Sequence, residues 1–302
     1  LKIFTASRAL AWALLAAVAA WPHSPSRAAD AEPAGTLARI AGTHTITLGV
    51  RMDARPFSYA LPDRSPAGYA VDLCKALTDD VKAALGVTEL DIKYLPVTPE
   101  NRVEKVISGA VDMECGSTTR TPQRALLVAF SPVTYIAGTK LVVRRGSPIQ
   151  SFRDLDGKTV AVTQGTTNEI VMHEIADRML VRMTFLTRSD HDRSFAALRD
   201  GKADAFATDD ILLAGLTASS GGSDFAVVGD YLSREPYGLM FRRDDPQFAA
   251  VVESGFRRLA ASRQLLDLYN RWFMTPLPDG PSLHVFMSAE LAQVLRGLGQ
   301  AE

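Results

Sequence analysis

The chain has 302 residues, enough for two domains of ordinary size, and 47% of them are hydrophobic while 22% are charged. That balance matches a folded globular protein and excludes wholesale disorder. A net charge of −1 excludes the basic excess expected of a nucleic-acid binder, so no nucleic-acid partner is expected.

Lys2 and Arg8 precede an apolar run over residues 9–21, followed by Ser26-Arg27-Ala28. This order of basic, apolar and small residues predicts a secretory signal peptide over 1–28. The apolar run falls short of the roughly 20 residues a spanning helix needs. Its removal would leave 30 basic and 34 acidic residues, a net charge of −4. An anionic protein that takes an anionic ligand needs a local cationic site. Residues 29–43, rich in Ala, Pro and Gly, read as a mobile leader.

From residue 45 the pattern alternates. Strands are predicted over 45–50, 90–96 and 111–115, and helices over 70–85 and 100–108. The order then restarts, with strands over 160–163, 183–186 and 203–208 and helices over 168–177 and 192–200. Two βαβαβ units of similar length imply an α/β fold in two lobes. A last strand over 237–242 and a helical stretch over 247–273 follow. If these return to the first lobe, that lobe takes 44–138 and 235–280, the second takes 139–234, and 281–302 is a C-terminal tail. The chain would then cross twice, near Gly138 and Glu235, making a two-strand hinge.

In open α/β sheets, ligands bind beyond the carboxyl ends of the strands. Arg51 follows the first strand. After the third come Gly116-Ser117-Thr118-Thr119-Arg120-Thr121-Pro122-Gln123-Arg124. Thr121 suits an N-cap and Pro122 the first helical position. Ser117, Thr119 and Arg124 thus gather donors and a guanidinium at one helix start, as a bound carboxylate requires; the plain alternative is a capped surface helix. In the second unit Gly165-Thr166-Thr167 opens a helix, where either threonine can cap and donate. The strand over 203–208 runs into Asp209-Asp210. One of these carboxylates suits a ligand ammonium, unless it is the N-cap of the next helix. His191, in a loop before a helix, reads alone as a solvated or capping residue. Cys74 and Cys115 are the only cysteines, and export leaves open either a disulfide or two buried thiols.

Pro56-Phe57-Ser58-Tyr59, Gly68-Tyr69, Asn101-Arg102, residues 114–119 with Arg124, Gly165-Thr166-Thr167, Asp190-His191, Asp209-Asp210, Tyr237-Gly238 and Asp244-Asp245-Pro246 stand in the order found in one family. The chain resembles the family 3 extracellular solute-binding proteins of ABC importers, most closely their glutamate/aspartate-binding branch, from about residue 45 to beyond 276. The resemblance implies the two-lobed, type II periplasmic-binding-protein fold, with an amino acid held between the lobes. It implies that Arg124, Ser117 and Thr119 grip the α-carboxylate, Asp209 takes the α-ammonium and Thr167 contributes from the second lobe. It also implies that Arg51, Arg102 and His191 surround a side-chain carboxylate. One position departs: the branch has serine three residues before Arg102, where this chain has Pro99, losing a hydroxyl.

The resulting expectation is a monomeric periplasmic carrier that delivers an acidic amino acid to a membrane permease, without cofactor, metal or catalysis. Two alternatives use the same fold. One is an exported enzyme resembling cyclohexadienyl dehydratase, for which His191 with Asp190, or Glu114, would supply an acid or base. The other is a sensory ligand-binding protein.

Overall fold

The computed structural model describes residues 35–221 and 223–300, so the expected signal peptide and the first residues of the leader lie outside the described residues. Two five-stranded sheets carry the chain. In the first, the strands run in the order Asp91–Pro96, Thr45–Val50, Met113–Cys115, Met240–Arg242, Val128–Phe130. The first three are parallel, and Met240–Arg242 lies antiparallel to both its neighbours. The second sheet repeats this arrangement with Thr184–Arg188, Thr159–Thr163, Ala205–Asp209, Thr139–Arg144 and Phe225–Val228. Again the first three are parallel, and Thr139–Arg144 is antiparallel to both its neighbours.

Each lobe buries apolar residues against its sheet. Helix Tyr69–Leu85 sinks Val71, Leu73, Cys74, Leu77 and Val81 into the first lobe. Helix Thr167–Met179 sinks Met172, Ile175 and Ala176 into the second. The segments that cross between the sheets, Tyr135–Ala137 and Glu235–Tyr237, pair antiparallel with Tyr135 opposite Tyr237. Both tyrosines join an aromatic cluster with Phe57, each with its ring 5.1 Å from that of Phe57. Edge-on aromatic contacts of this kind have preferred geometry, so the crossing strands are anchored to the first lobe.

Three expectations need correction. Residues 35–43 of the supposed mobile leader form a helix, Gly35–Thr43, which buries Leu37 and Ile40. The Thr36 N–H donates to Asp245 at 2.7 Å, tying this helix to the returning chain. The strand predicted over 237–242 is two strands, because Glu235–Tyr237 pairs in the crossing ladder while Met240–Arg242 inserts into the first sheet. The C-terminal tail carries a helix, Ala289–Gly297, capped by Ser288 and held by buried Leu291 and Leu295. Local composition hid all three, since each is stabilised by burial against distant chain.

Cys74 and Cys115 are disulfide-bonded, with their Cα atoms 6.1 Å apart. The bond fastens helix Tyr69–Leu85 to strand Met113–Cys115, one residue before Gly116.

Candidate functional site

The carboxyl ends of the parallel strands in both sheets face one cleft. Its floor is a small cavity lined by Arg51, Arg102, Ser117 and Thr119 from the first lobe and by Thr167, His191 and Asp209 from the second, among others. Seven of the eight residues singled out in the sequence therefore converge. The eighth, Arg124, lies just outside, along a larger groove that shares Thr119 and Thr167 with the cavity.

Local signals place the first-lobe donors. Thr121 is the N-cap of a short helix, accepting the Arg124 N–H at 3.1 Å, with Pro122 next. The turn directs the Arg124 guanidinium back along its own loop, where Nη1 donates to the Thr119 carbonyl at 3.0 Å. Its Nη2 reaches across to the Gly165 carbonyl at 3.2 Å. Gly165 has φ +74°, and a Cβ there would sit 2.8 Å from the backbone of Glu100, so glycine lets the Pro99-Glu100 loop of the first lobe approach this turn closely. Burial lowers the Arg124 pKa, a shift offset by the charges of Glu114, Glu235 and Asp209.

The second lobe answers with a connected polar set. Thr166 rather than Thr167 caps helix Thr167–Met179, accepting the Glu169 N–H at 3.2 Å. Thr167 is thereby left to donate to Glu235 at 2.8 Å and to face the Thr119 hydroxyl at 3.3 Å. Asp209 stands at the N-cap position of the next helix but makes no side-chain cap. Its carboxylate accepts from Asn168 at 2.7 Å and from the Tyr237 hydroxyl. Burial, reinforced by the neighbouring Glu235 carboxylate, pushes the Asp209 pKa up to about 7. Asp210 is not the cap either; it accepts the Gly138 N–H and the Tyr231 hydroxyl.

The three groups expected at the ligand's side-chain end do not present three positive charges. Arg51 is 1% exposed, and its Nε and Nη2 engage both oxygens of Asp53 at 3.0 and 2.7 Å. Burial alone would raise the Asp53 carboxyl, but Arg51 and His191 hold it below the usual carboxylate range. His191 is also 1% exposed, and its Nδ1 lies 3.0 Å from the Thr163 hydroxyl. Burial pushes its pKa down to about 3, and Arg51 and Arg102 add to the effect, so the imidazole is neutral at physiological pH. Arg102 differs. Its pKa falls to about 9 through burial and the nearby Arg124, which leaves it cationic at neutral pH.

Among the described residues the Arg102 side chain donates only a long 3.5 Å bond, to the Ser117 carbonyl, and its Nε has no partner. The Ser117 Oγ is likewise buried and unpartnered, and so is Oε1 of Glu114. A buried polar atom left unsatisfied costs about 1–3 kcal/mol, more when it is charged. Two such atoms on residues that line one cleft, Arg102 Nε and Ser117 Oγ, therefore mark a place for a polar ligand. Glu114 sits behind the others: burial raises its pKa, and Oε2 accepts from Thr118 at 2.8 Å. Asp190 caps its helix by accepting the Arg193 N–H at 2.8 Å and does not orient the His191 ring. No histidine–carboxylate dyad is formed there.

Asp53, Asn168 and Tyr237 take part in the site without having been singled out as contacts. Asp53 could have been found by the reasoning that found Asp209, since it follows the end of a parallel strand and sits two residues from Arg51. Tyr237 gave no such signal, because its hydroxyl reaches Asp209 only through the crossing strand.

Residues 46–275 match the model of the family described as bacterial extracellular solute-binding proteins, family 3. The glutamate/aspartate import solute-binding protein of Salmonella typhimurium is 35% identical over 279 residues, covering 91% of each chain. The L-glutamate/L-aspartate-binding protein of Pseudomonas aeruginosa is 38% identical over 267 residues, 87% of this chain and 88% of its own. Among solved structures, an ancestral amino acid-binding protein described as a precursor of cyclohexadienyl dehydratase superposes with a TM-score of 0.68 at 27% identity. It covers 79% of this chain and 99% of its own.

Proposed function

Because this chain belongs to the bacterial extracellular solute-binding proteins of family 3, we propose that it is the periplasmic carrier of an ABC importer for an acidic amino acid, glutamate or aspartate. The observation that carries the reading is the unpartnered pair, Arg102 Nε and Ser117 Oγ, buried in a cleft that holds the Asp209 carboxylate on its opposite wall. An amino acid matches this division of charge. Its α-carboxylate would take Ser117, Thr119 and Arg124, the last releasing the Gly165 carbonyl to do so. Its α-ammonium would take Asp209, steadied by Asn168 and Tyr237, with Thr167 completing the second-lobe contacts. Its side-chain carboxylate would meet Arg102, Arg51 and the neutral His191, the last as a hydrogen-bonding partner rather than a cation. The names of the relatives support the acidic ligand.

Export through residues 1–28, a monomeric state and delivery to a membrane permease complete the reading. We take the protein to bind without catalysis and without a cofactor. The names of the relatives, which are those of binding proteins, support this. Isothermal titration of the purified protein with the amino acids, with mass spectrometry of the recovered ligand, tests both parts. Saturable binding of glutamate or aspartate recovered unchanged is the expected result. No heat with any amino acid, or a converted product, would refute it.

A further inference from the structure

Asp53 forms a short two-residue strand with Ala54, paired to Ser58–Ala60. Ser58 in turn accepts the Arg51 N–H at 2.9 Å and donates to the Arg51 carbonyl at 3.1 Å. The Asp53 carboxylate is thus held in place on Arg51. Its Oδ2 has another partner: it accepts the backbone N–H of His191 at 2.7 Å. His191 is the first residue of helix His191–Arg199, whose residues belong to the second lobe. One carboxylate of the first lobe therefore satisfies a guanidinium at its own side of the cleft and a helix start at the other.

Both contacts are of strong kinds. Two parallel N–H···O bonds from a guanidinium form the geometry in which arginine holds a carboxylate best, and a helix N-terminus favours an anion. They are also contacts that a ligand's second carboxylate would otherwise seek. Among the described residues the Arg102 side chain bonds no carboxylate, its one hydrogen bond being that to the Ser117 carbonyl, although buried Glu114 lies near enough for its charge to be felt.

We propose that Asp53 is a built-in counter-ion of the ligand's side-chain subsite, which tempers the preference for acidic ligands and latches the lobes together. By occupying Arg51 and the His191 amide, it leaves Arg102 as the cation of the side-chain subsite that holds no carboxylate by a hydrogen bond. By spanning the cleft, it favours closure before any ligand arrives. The selectivity half rests on the reading of the cleft as an amino-acid site, whereas the latch half does not.

The experiment compares wild type with Asp53→Asn and Asp53→Ser. Glutamate, aspartate, glutamine and asparagine are titrated into each protein, and ligand-free samples are measured by small-angle scattering. Freeing Arg51 should raise the acid-to-amide affinity ratio about tenfold, the scale of one added charge contact. Both variants should also show a larger radius of gyration than ligand-free wild type. An unchanged or lower ratio overturns the selectivity role, and equal radii overturn the latch. If none of the four ligands binds wild type, the proposed function falls, and the scattering alone then decides whether Asp53 holds the lobes. Should the single variants unfold around the unpaired Arg51, Arg51→Gln/Asp53→Asn leaves no isolated charge and must still show the larger radius.

Discussion

The Asn168 amide donates to Asp209 at 2.7 Å from the second helical position after its cap, and in the same direction it donates to Thr139 at 2.7 Å. Thr139 stands two residues after the first crossing segment, and its hydroxyl lies 2.7 Å from that of Ser233, two residues before the second. Ser233 donates onward to Glu235 at 2.5 Å. The carboxylate proposed to receive the ligand ammonium is thus wired to both strands on which closure would turn. A rotation of the lobes and the charge state of Asp209 act on one network.

That network makes binding sensitive to pH. Folded Asp209 has its pKa raised to about 7 by burial and Glu235, whereas an unfolded aspartate titrates near 3.9. Its contribution to stability is therefore fully present below about pH 4 and lost as pH rises through 7. Ligand affinity runs the other way, because an ammonium needs the ionised carboxylate. We expect affinity to fall by up to about tenfold per unit below pH 7, with about half a proton released on binding at pH 7. Titration in buffers of different ionisation enthalpy measures both. Affinity that is flat from pH 5 to 8 would remove Asp209 from the ammonium contact.

Arg124→Ala should abolish binding of acidic and neutral amino acids alike, since the α-carboxylate is common to all. Losing one partner of a buried, hydrogen-bonded charge pair costs about 2–5 kcal/mol. Calorimetric titration showing affinity within a few-fold of wild type would mean that Arg124 stays on the Gly165 carbonyl when ligand is bound.

Arg102→Met bears on selectivity. Arg51 is paired and His191 neutral, so Arg102 carries most of the attraction for a second carboxylate. An amide offers an NH₂ donor to groups that are themselves donors. We expect wild type to favour glutamate or aspartate over the amides by at least about tenfold, roughly 1.4 kcal/mol. The variant should lose most of that margin. Competition titration at fixed pH and salt decides the matter, and a retained margin would move the acidic subsite elsewhere.

Replacing Cys74 and Cys115 by alanine opens a loop between residues 41 apart in sequence. A cross-link of that span is worth about 2–4 kcal/mol. Urea unfolding should register the loss. Ligand affinity should change little, because the Ser117 loop is also held by the Arg102–Ser117 contact and by the Gly238 N–H, which donates to the Thr118 carbonyl at 3.0 Å. A large loss of affinity with unchanged stability would show the bond acting on the loop instead.

Much of this molecule was legible in its chain. Helix starts announce themselves over three or four residues, as Thr121-Pro122 did, and strand ends are marked by where apolar alternation stops. Those local signals, with the family resemblance, located Arg51, Ser117, Thr119, Thr167 and Asp209 around one cleft. Charge state was not legible, because it depends on which groups share a desolvated volume. Arg51 reads as a free cation until Asp53 is seen on it, and His191 reads alone as a solvated or capping residue until its burial beside two guanidinium groups is seen to keep it neutral. Nor could pattern separate a disulfide from two thiols at Cys74 and Cys115, or a helix from a loose leader at Gly35–Thr43, since both are decided by contacts with distant chain. The sequence by itself determined which groups could meet a ligand; only the tertiary structure decided which of them remain unpaired and charged, because desolvation and pairing are properties of three-dimensional neighbours.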